Sequence, residues 1–229
     1  MIQWGRLQTE MIPYPVGIIE TALLPMVYRR LYETWPAASL FAPMAAGAEG
    51  PEKWSLSERN HPDQYHAFIQ GTPAWKTAWL GFKQAPFIKD TFTALLTAGW
   101  PLEIDRSPTV KYKTRFEFAH MPAKGGLLKP HRDLASKVVT IILGFPEPGW
   151  DDTWGGSTDI LVPTVEGLSD YQCDRSQFSL VRAIPHRANQ AVVFLKSDTS
   201  WHTVGPMTGP AGPMRRTITI NIEKFTVTR

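Results

Sequence analysis

The stretch VKYKTRFEF (110–118) decides the fold class of this chain. Val110, Tyr112, Phe116 and Phe118 alternate with Lys111, Lys113, Arg115 and Glu117. A period of two belongs to a strand with one buried face. Further along, VVTIIL (138–143) is a short apolar run of the kind a buried strand carries. Residues 157–162 and 191–195 are further candidates, and near the end Thr217, Thr219 and Asn221 alternate with Ile218, Ile220 and Ile222. The turn-forming clusters PAKGG (122–126), FPEPGWDD (145–152) and GPMTGPAGP (205–213) separate these runs. Many short strands with turns between them predict a sandwich or barrel.

Residues 1–108 have a different character and are expected to be a mostly helical or irregular support. Val27, Tyr28, Leu31, Tyr32 and Trp35 recur at helical spacing over 25–35, with Pro25 in the first turn. A second helix is predicted over 86–98, with the stripe Phe87, Phe92, Leu95 and Leu96 and a stop at Gly99. Residues 41–65, rich in Pro, Gly, Ala and polar side chains, read as a long loop. At 229 residues the expectation is one domain, with 109–229 as its β core.

Composition narrows the function classes. Hydrophobic residues make up 43% and charged residues 20%, which is ordinary globular usage. A net charge of +3 without a dense basic block argues against a nucleic-acid partner. The single cysteine, Cys173, rules out an internal disulfide and fits a reducing cytoplasm. The start of the chain does not read as a signal peptide, and no apolar run approaches a membrane span, so no membrane partner is expected.

The chemistry concentrates around PHRD (130–133). In an extended segment, residues two apart point to the same side, so His131 and Asp133 can converge on one ion. A second histidine, His202, stands in SWHTV (200–204), after the strand ending near Leu195. Two histidines and a carboxylate on one face of an octahedral iron(II) leave three positions open. A His-x-Asp pair alone is a weak signal, since a solvated loop pair looks the same. Its context strengthens it: an adjoining apolar strand, the Gly155-Gly156 pair, and a final strand opening with arginines. In RRTIT (215–219), alternation puts Arg215, Thr217 and Thr219 on one face and Arg216 with Ile218 on the other. A guanidinium there can grip a carboxylate bidentately. A register shift of one residue would exchange Arg215 for Arg216.

Other readings are weaker. HRDL (131–134) also opens a protein-kinase catalytic loop, but Val138 stands where that loop needs asparagine. His61 and His66, in NHPDQYH (60–66), read as surface loop histidines. His186, beside Arg187, is expected to be exposed, and His120 has no assigned role.

Taken together, these motifs resemble the 2-oxoglutarate/iron(II) dioxygenase superfamily, and within it the prolyl 4-hydroxylase-like group. The matching segments are PHRD (130–133), VVTIIL (138–143), WGGSTDIL (154–161), VVFLKSDTSWHTVGP (192–206) and RRTITI (215–220). The resemblance implies a mainly β fold with supporting helices, a double-stranded β-helix or jelly roll. It implies His131, Asp133 and His202 as iron ligands. Arg215, with Thr217 and Thr219 beside it, would hold the distal carboxylate of 2-oxoglutarate. It further implies a hydroxylase that consumes O2 and releases succinate and carbon dioxide. Related halogenases lack the carboxylate ligand, so Asp133 favours hydroxylation or a related desaturation or cyclisation. Arg132, Trp154 and Trp201 are candidate contacts for a small-molecule or peptidyl substrate. The chain departs from the group in having no tyrosine between Met121 and Leu128 and a glycine, Gly144, near another tyrosine position. Two alternatives stay open: a cupin-like metalloenzyme that uses the same triad without 2-oxoglutarate, and a non-enzymatic jelly-roll binding module.

Overall fold

The computed structural model describes residues 1–43, 53–169 and 173–227. Its first part holds β1 (Gln8–Glu10), β2 (Val16–Ile19), α1 (Pro25–Glu33), β3 (Ala42–Pro43), β4 (Trp54–Ser57), α2 (Pro62–Gly71), α3 (Pro73–Lys83) and α4 (Ala85–Thr97). The second part holds β5 (Val110–Pro122), β6 (Leu128–His131), β7 (Lys137–Gly144), β8 (Thr158–Pro163), β9 (Phe178–Ile184), β10 (Ala191–Leu195), β11 (His202–Val204) and β12 (Met214–Thr226). A large antiparallel sheet runs in the order β1-β2-β10-β7-β12-β5-β4-β3, and a smaller one in the order β6-β11-β8-β9.

Period-two alternation divides each central strand between two environments. One face carries Phe116 and Phe118 of β5, Val139, Ile141 and Leu143 of β7, and Ile218, Ile220 and Ile222 of β12. These pack against Leu31 of α1, Ile69 of α2, Trp75 and Phe82 of α3, and Phe92 of α4. The opposite face packs on the small sheet, where Val16, Ile18, Val192 and Phe194 meet Ile160 of β8 and Ile184 of β9. The large sheet thus lies between a helical layer and a second sheet, and Arg215, Thr217 and Thr219 of β12 face the space between the sheets.

The two predicted helices are present as α1 and α4, and the five predicted strands as β5, β7, β8, β10 and β12. The N-terminal half needs correcting: β1–β4 form part of the large sheet, with β2 pairing to β10 and β4 to β5. The expected 41–65 loop is also broken up. Residues 54–57 form β4 and α2 starts at Pro62, whereas 44–52 lie outside the described residues. His66 consequently sits on α2, 3.9 Å from Glu58. Among the described residues no helix is long and apolar enough to cross a membrane.

His120, unassigned from sequence, is a buried part of β5. Its Nε2 accepts a hydrogen bond from Trp35 Nε1 at 2.8 Å, and Phe41 stacks on it at 3.7 Å. Burial, and then Arg216, lower its pKa to about 4. The unfolded chain would protonate His120 near its ordinary 6.5, so stability from the neutral form is complete above that pH. It is lost as pH falls toward 4, by at most about 3 kcal/mol. His120→Phe should therefore lose less stability than the native protein between pH 6.5 and 4, measured by urea unfolding. Parallel losses for both proteins would place the acid sensitivity elsewhere.

Candidate metal centre

Two strands of the small sheet place the histidines. His131 ends β6, His202 begins β11, and the two residues pair directly across the ladder. Their rings lie 4.3 Å apart between centroids. Asp133 follows in the turn toward β7, and ligand atoms from the three residues fall within 4.8 Å of one another. This is the one such cluster among the described residues.

Backbone carbonyls orient both rings. His131 Nδ1 lies 2.9 Å from Lys129 O, and His202 Nδ1 lies 3.0 Å from Ser200 O. A carbonyl only accepts, so each Nδ1 carries the proton and each Nε2 keeps its lone pair for an ion. Burial, then the neighbouring His202, push His131 down to about 3. Burial likewise lowers His202, so both rings are neutral and fit to ligate.

Burial alone would raise the Asp133 carboxyl. The charge of Lys137 and hydrogen bonds from Lys137 and Thr140 outweigh it and hold Asp133 below the usual carboxylate range. Lys137 Nζ and Thr140 Oγ1 each stand 2.5 Å from a different oxygen of that carboxylate. Neither partner was singled out from sequence. Thr140 did leave a signal, as the one polar residue in VVTIIL.

Arg215, Thr217 and Thr219 share the face of β12 that lines a cavity of about 90 Å³ with the His-Asp-His cluster. Arg215 is only 4% exposed. Its Nε donates to Gly156 O at 2.6 Å, and its terminal nitrogens have no hydrogen-bond partner among the described residues. Burial lowers the guanidinium to about 10, so it remains charged at neutral pH. The Gly-Gly pair makes this seat possible. Gly156 has φ +73°, and a Cβ there would lie 3.1 Å from Arg215 Cδ. Arg216 points the other way, over Tyr32 and Trp35, and donates to Phe145 O at 2.9 Å.

Several expected site residues lie elsewhere. Arg132, between the two inward-turned ligands, falls on the opposite side of the chain and stacks on Trp201 at 4.7 Å. Trp201 is buried against Phe178 rather than lining the cavity. Trp154 packs edge-on to Trp150, with ring centroids 5.5 Å apart. His186 is buried, not exposed: the chain between β9 and β10 passes close over Gly144. Residues missed from sequence line a second cavity of about 570 Å³ that shares His131, Asp133 and Lys137 with the first. Its walls include Lys53, Asn60, Arg115, Glu117, Asn221 and Glu223.

Comparison with known proteins bears on this arrangement. Residues 116–223 match a family model described as the 2OG-Fe(II) oxygenase superfamily. AviO1 of Streptomyces viridochromogenes is similar in structure, with TM-score 0.52 and 14% identity over 91% of this chain and 89% of that one. A prolyl hydroxylase from Trichoplax adhaerens, solved with a peptide fragment of hypoxia inducible factor, has TM-score 0.51 and 12% identity, covering 91% and 83%. A prolyl-4-hydroxylase of Pseudomonas putida has TM-score 0.48 and 16% identity, covering 93% and 94%. At these identities the likeness to the first two structures speaks for the fold alone. A comparison with curated proteins finds no match.

Proposed function

We infer from membership of the 2OG-Fe(II) oxygenase superfamily, carried by residues 116–223, how this enzyme's own residues divide the work. Its cofactors are iron(II) and 2-oxoglutarate. The reading assigns the iron to His131, Asp133 and His202 and the distal carboxylate of 2-oxoglutarate to Arg215, with Thr217 and Thr219 alongside. The chain works as one domain, in which 109–229 carries the chemistry and 1–108 backs and extends the large sheet.

One observation carries this reading. A buried arginine with unpartnered terminal nitrogens stands in the same small cavity as the three ligands. The acid that acts on this buried cation, Asp159, is engaged by Arg175 at 2.9 Å, so a further anion in the cavity would be favoured. A dicarboxylate that reaches the metal with one end and Arg215 with the other meets both demands. The donor set also fits iron(II), since two neutral imidazoles and a carboxylate suit that ion and leave positions open.

When bound, iron(II) would activate O2, the oxidant, and 2-oxoglutarate would supply two of its four electrons: one oxygen atom would enter succinate as carbon dioxide leaves, and the other would enter a C–H bond of the substrate as hydroxyl. The protein's part is placement. His131 and His202 present Nε2, Lys137 and Thr140 keep Asp133 ionised and oriented, and the closed end of the cavity excludes water. The larger cavity is the place for the substrate. Its mixed acidic, basic and amide walls suit a polar, hydrogen-bonding molecule or segment.

An anaerobic titration tests the reading. One iron(II) per chain and a visible charge-transfer band on adding 2-oxoglutarate are expected, followed by substrate-dependent succinate release in air. Metal binding without that band would favour a metalloenzyme that does not use 2-oxoglutarate.

A further inference from the structure

We propose that His186 is a second anchor for the distal carboxylate of 2-oxoglutarate, donating from Nε2 to the group that Arg215 grips. This rests on the assignment of Arg215 above.

His186 is 5% exposed, and its Nε2 is buried without a hydrogen-bond partner among the described residues. Buried polar atoms are paired in the great majority of cases, so an orphan in a well-packed region points to a missing partner. The surroundings indicate which kind. His186 and Arg215 both line a gap of about 10 Å³, together with Gly144 and Thr158. That is about the space of one atom-sized group, enough for a single oxygen. Arg215, Thr158 and Ile142 also line the cavity of the three metal-ligand candidates, so the gap adjoins its arginine end.

Charge narrows the choice to an anion. Burial, then Arg215 and Arg216, hold the His186 imidazole well below its ordinary pKa, so it is neutral and offers one N–H. The acid that acts on Arg215, Asp159, is engaged by Arg175 at 2.9 Å. A neutral N–H donor beside a buried guanidinium forms a pair of donors, and a carboxylate with two oxygens can use both.

The local packing holds the ring in place. Trp150 meets it edge-on, with centroids 5.3 Å apart and planes at 90°. Gly144 leaves it room, because a Cβ there would lie 2.1 Å from Arg187 O and 3.4 Å from His186 Cε1. Any larger residue at 144 would push the His186–Arg187 segment away from the gap.

The test compares two ligands on iron(II)-loaded enzyme under anaerobic conditions. One is 2-oxoglutarate; the other is 2-oxopentanoate, which has a methyl group in place of the distal carboxylate. His186→Leu should raise the Kd for 2-oxoglutarate about 10-fold, as loss of a charge-assisted hydrogen bond does. Its affinity for 2-oxopentanoate should stay near the native value. His186→Gln, which keeps an N–H donor, should recover part of the loss. Equal losses for both ligands in both variants would make His186 a structural residue and overturn the proposal. So would an unchanged Kd for 2-oxoglutarate in His186→Leu while Arg215→Ala weakens it, an outcome that leaves the Arg215 assignment standing. If the native enzyme binds both ligands alike, the Arg215 assignment falls first and this one with it.

Discussion

His131→Ala is expected to abolish tight iron(II) binding. The candidate ligands come from one short strand end, the turn after it and a neighbouring strand. Each histidine is held by a single carbonyl, Lys129 O or Ser200 O. Removing one leaves a histidine and a carboxylate, too few to occupy one face of an octahedral ion. Loss of an outer partner alone costs roughly 10- to 100-fold in metal affinity, and loss of the ligand itself should exceed that. Iron content after anaerobic dialysis measures it, with His66→Ala, on α2 and lining neither cavity, as the control. Asp133→Gly should behave differently: weak iron binding can persist, but hydroxylation should be lost. Native affinity in His131→Ala would sink the ligand assignment, and full hydroxylation in Asp133→Gly would mean that another carboxylate serves.

The second large effect is expected at Arg215. Arg215→Ala should weaken 2-oxoglutarate binding by about 10- to 150-fold, the equivalent of roughly 1.5–3 kcal/mol for a contact between charged groups. Iron binding should be nearly unchanged, because Arg215 is not among the three candidate ligands. Lysine at this position should recover only part, since a point charge does not reproduce the planar fork. Arg216→Ala is the contrasting variant. Its guanidinium lies over Tyr32 and Trp35 on the helical side, so stability should suffer rather than cosubstrate affinity. The charge-transfer band read in both variants decides the matter. Loss in Arg216→Ala alone would overturn the facing of β12, and loss in neither would move the cupin-like alternative ahead.

The alternation that separates these two arginines was readable before any coordinates. A strand's period of two is a property of consecutive residues, and in β12 it sends Arg215, Thr217 and Thr219 toward the cavity and Ile218 and Ile220 into the core. The same local logic exposed β5, β7 and β10, and it made the convergence of His131 and Asp133 plausible. Arg132, Trp154 and Trp201, offered as substrate contacts, line neither of the two cavities at the ligand cluster. The i, i+2 rule that brings His131 and Asp133 together is the reason Arg132 turns away.

Other features had too little local signal. VGII (16–19) is too short to show a period, yet as β2 it pairs with β10 across more than half the chain. α2 begins inside the 41–65 stretch read as a loop from its composition, and α3 was not predicted; Pro62 and Pro73 each occupy the first turn of a helix, where proline is tolerated. Tyr65 and Ile69, four residues apart on α2, are its two buried positions, a weak stripe in a polar segment.

The sequence by itself therefore determined the β class of the C-terminal half and the residues of the candidate metal cluster, and it narrowed the cavity-facing arginine to Arg215 or, with a shift of one, Arg216. These depend on residue type, short spacing and strand parity, all carried by neighbouring residues. Only the tertiary structure decided that four N-terminal strands join the large sheet. The same holds for Lys137 and Thr140 converging on Asp133, and for His186 lying buried beside Arg215. Those facts depend on which distant segments come into contact and how much water they exclude, and burial of that kind has no signature in the order of neighbouring residues.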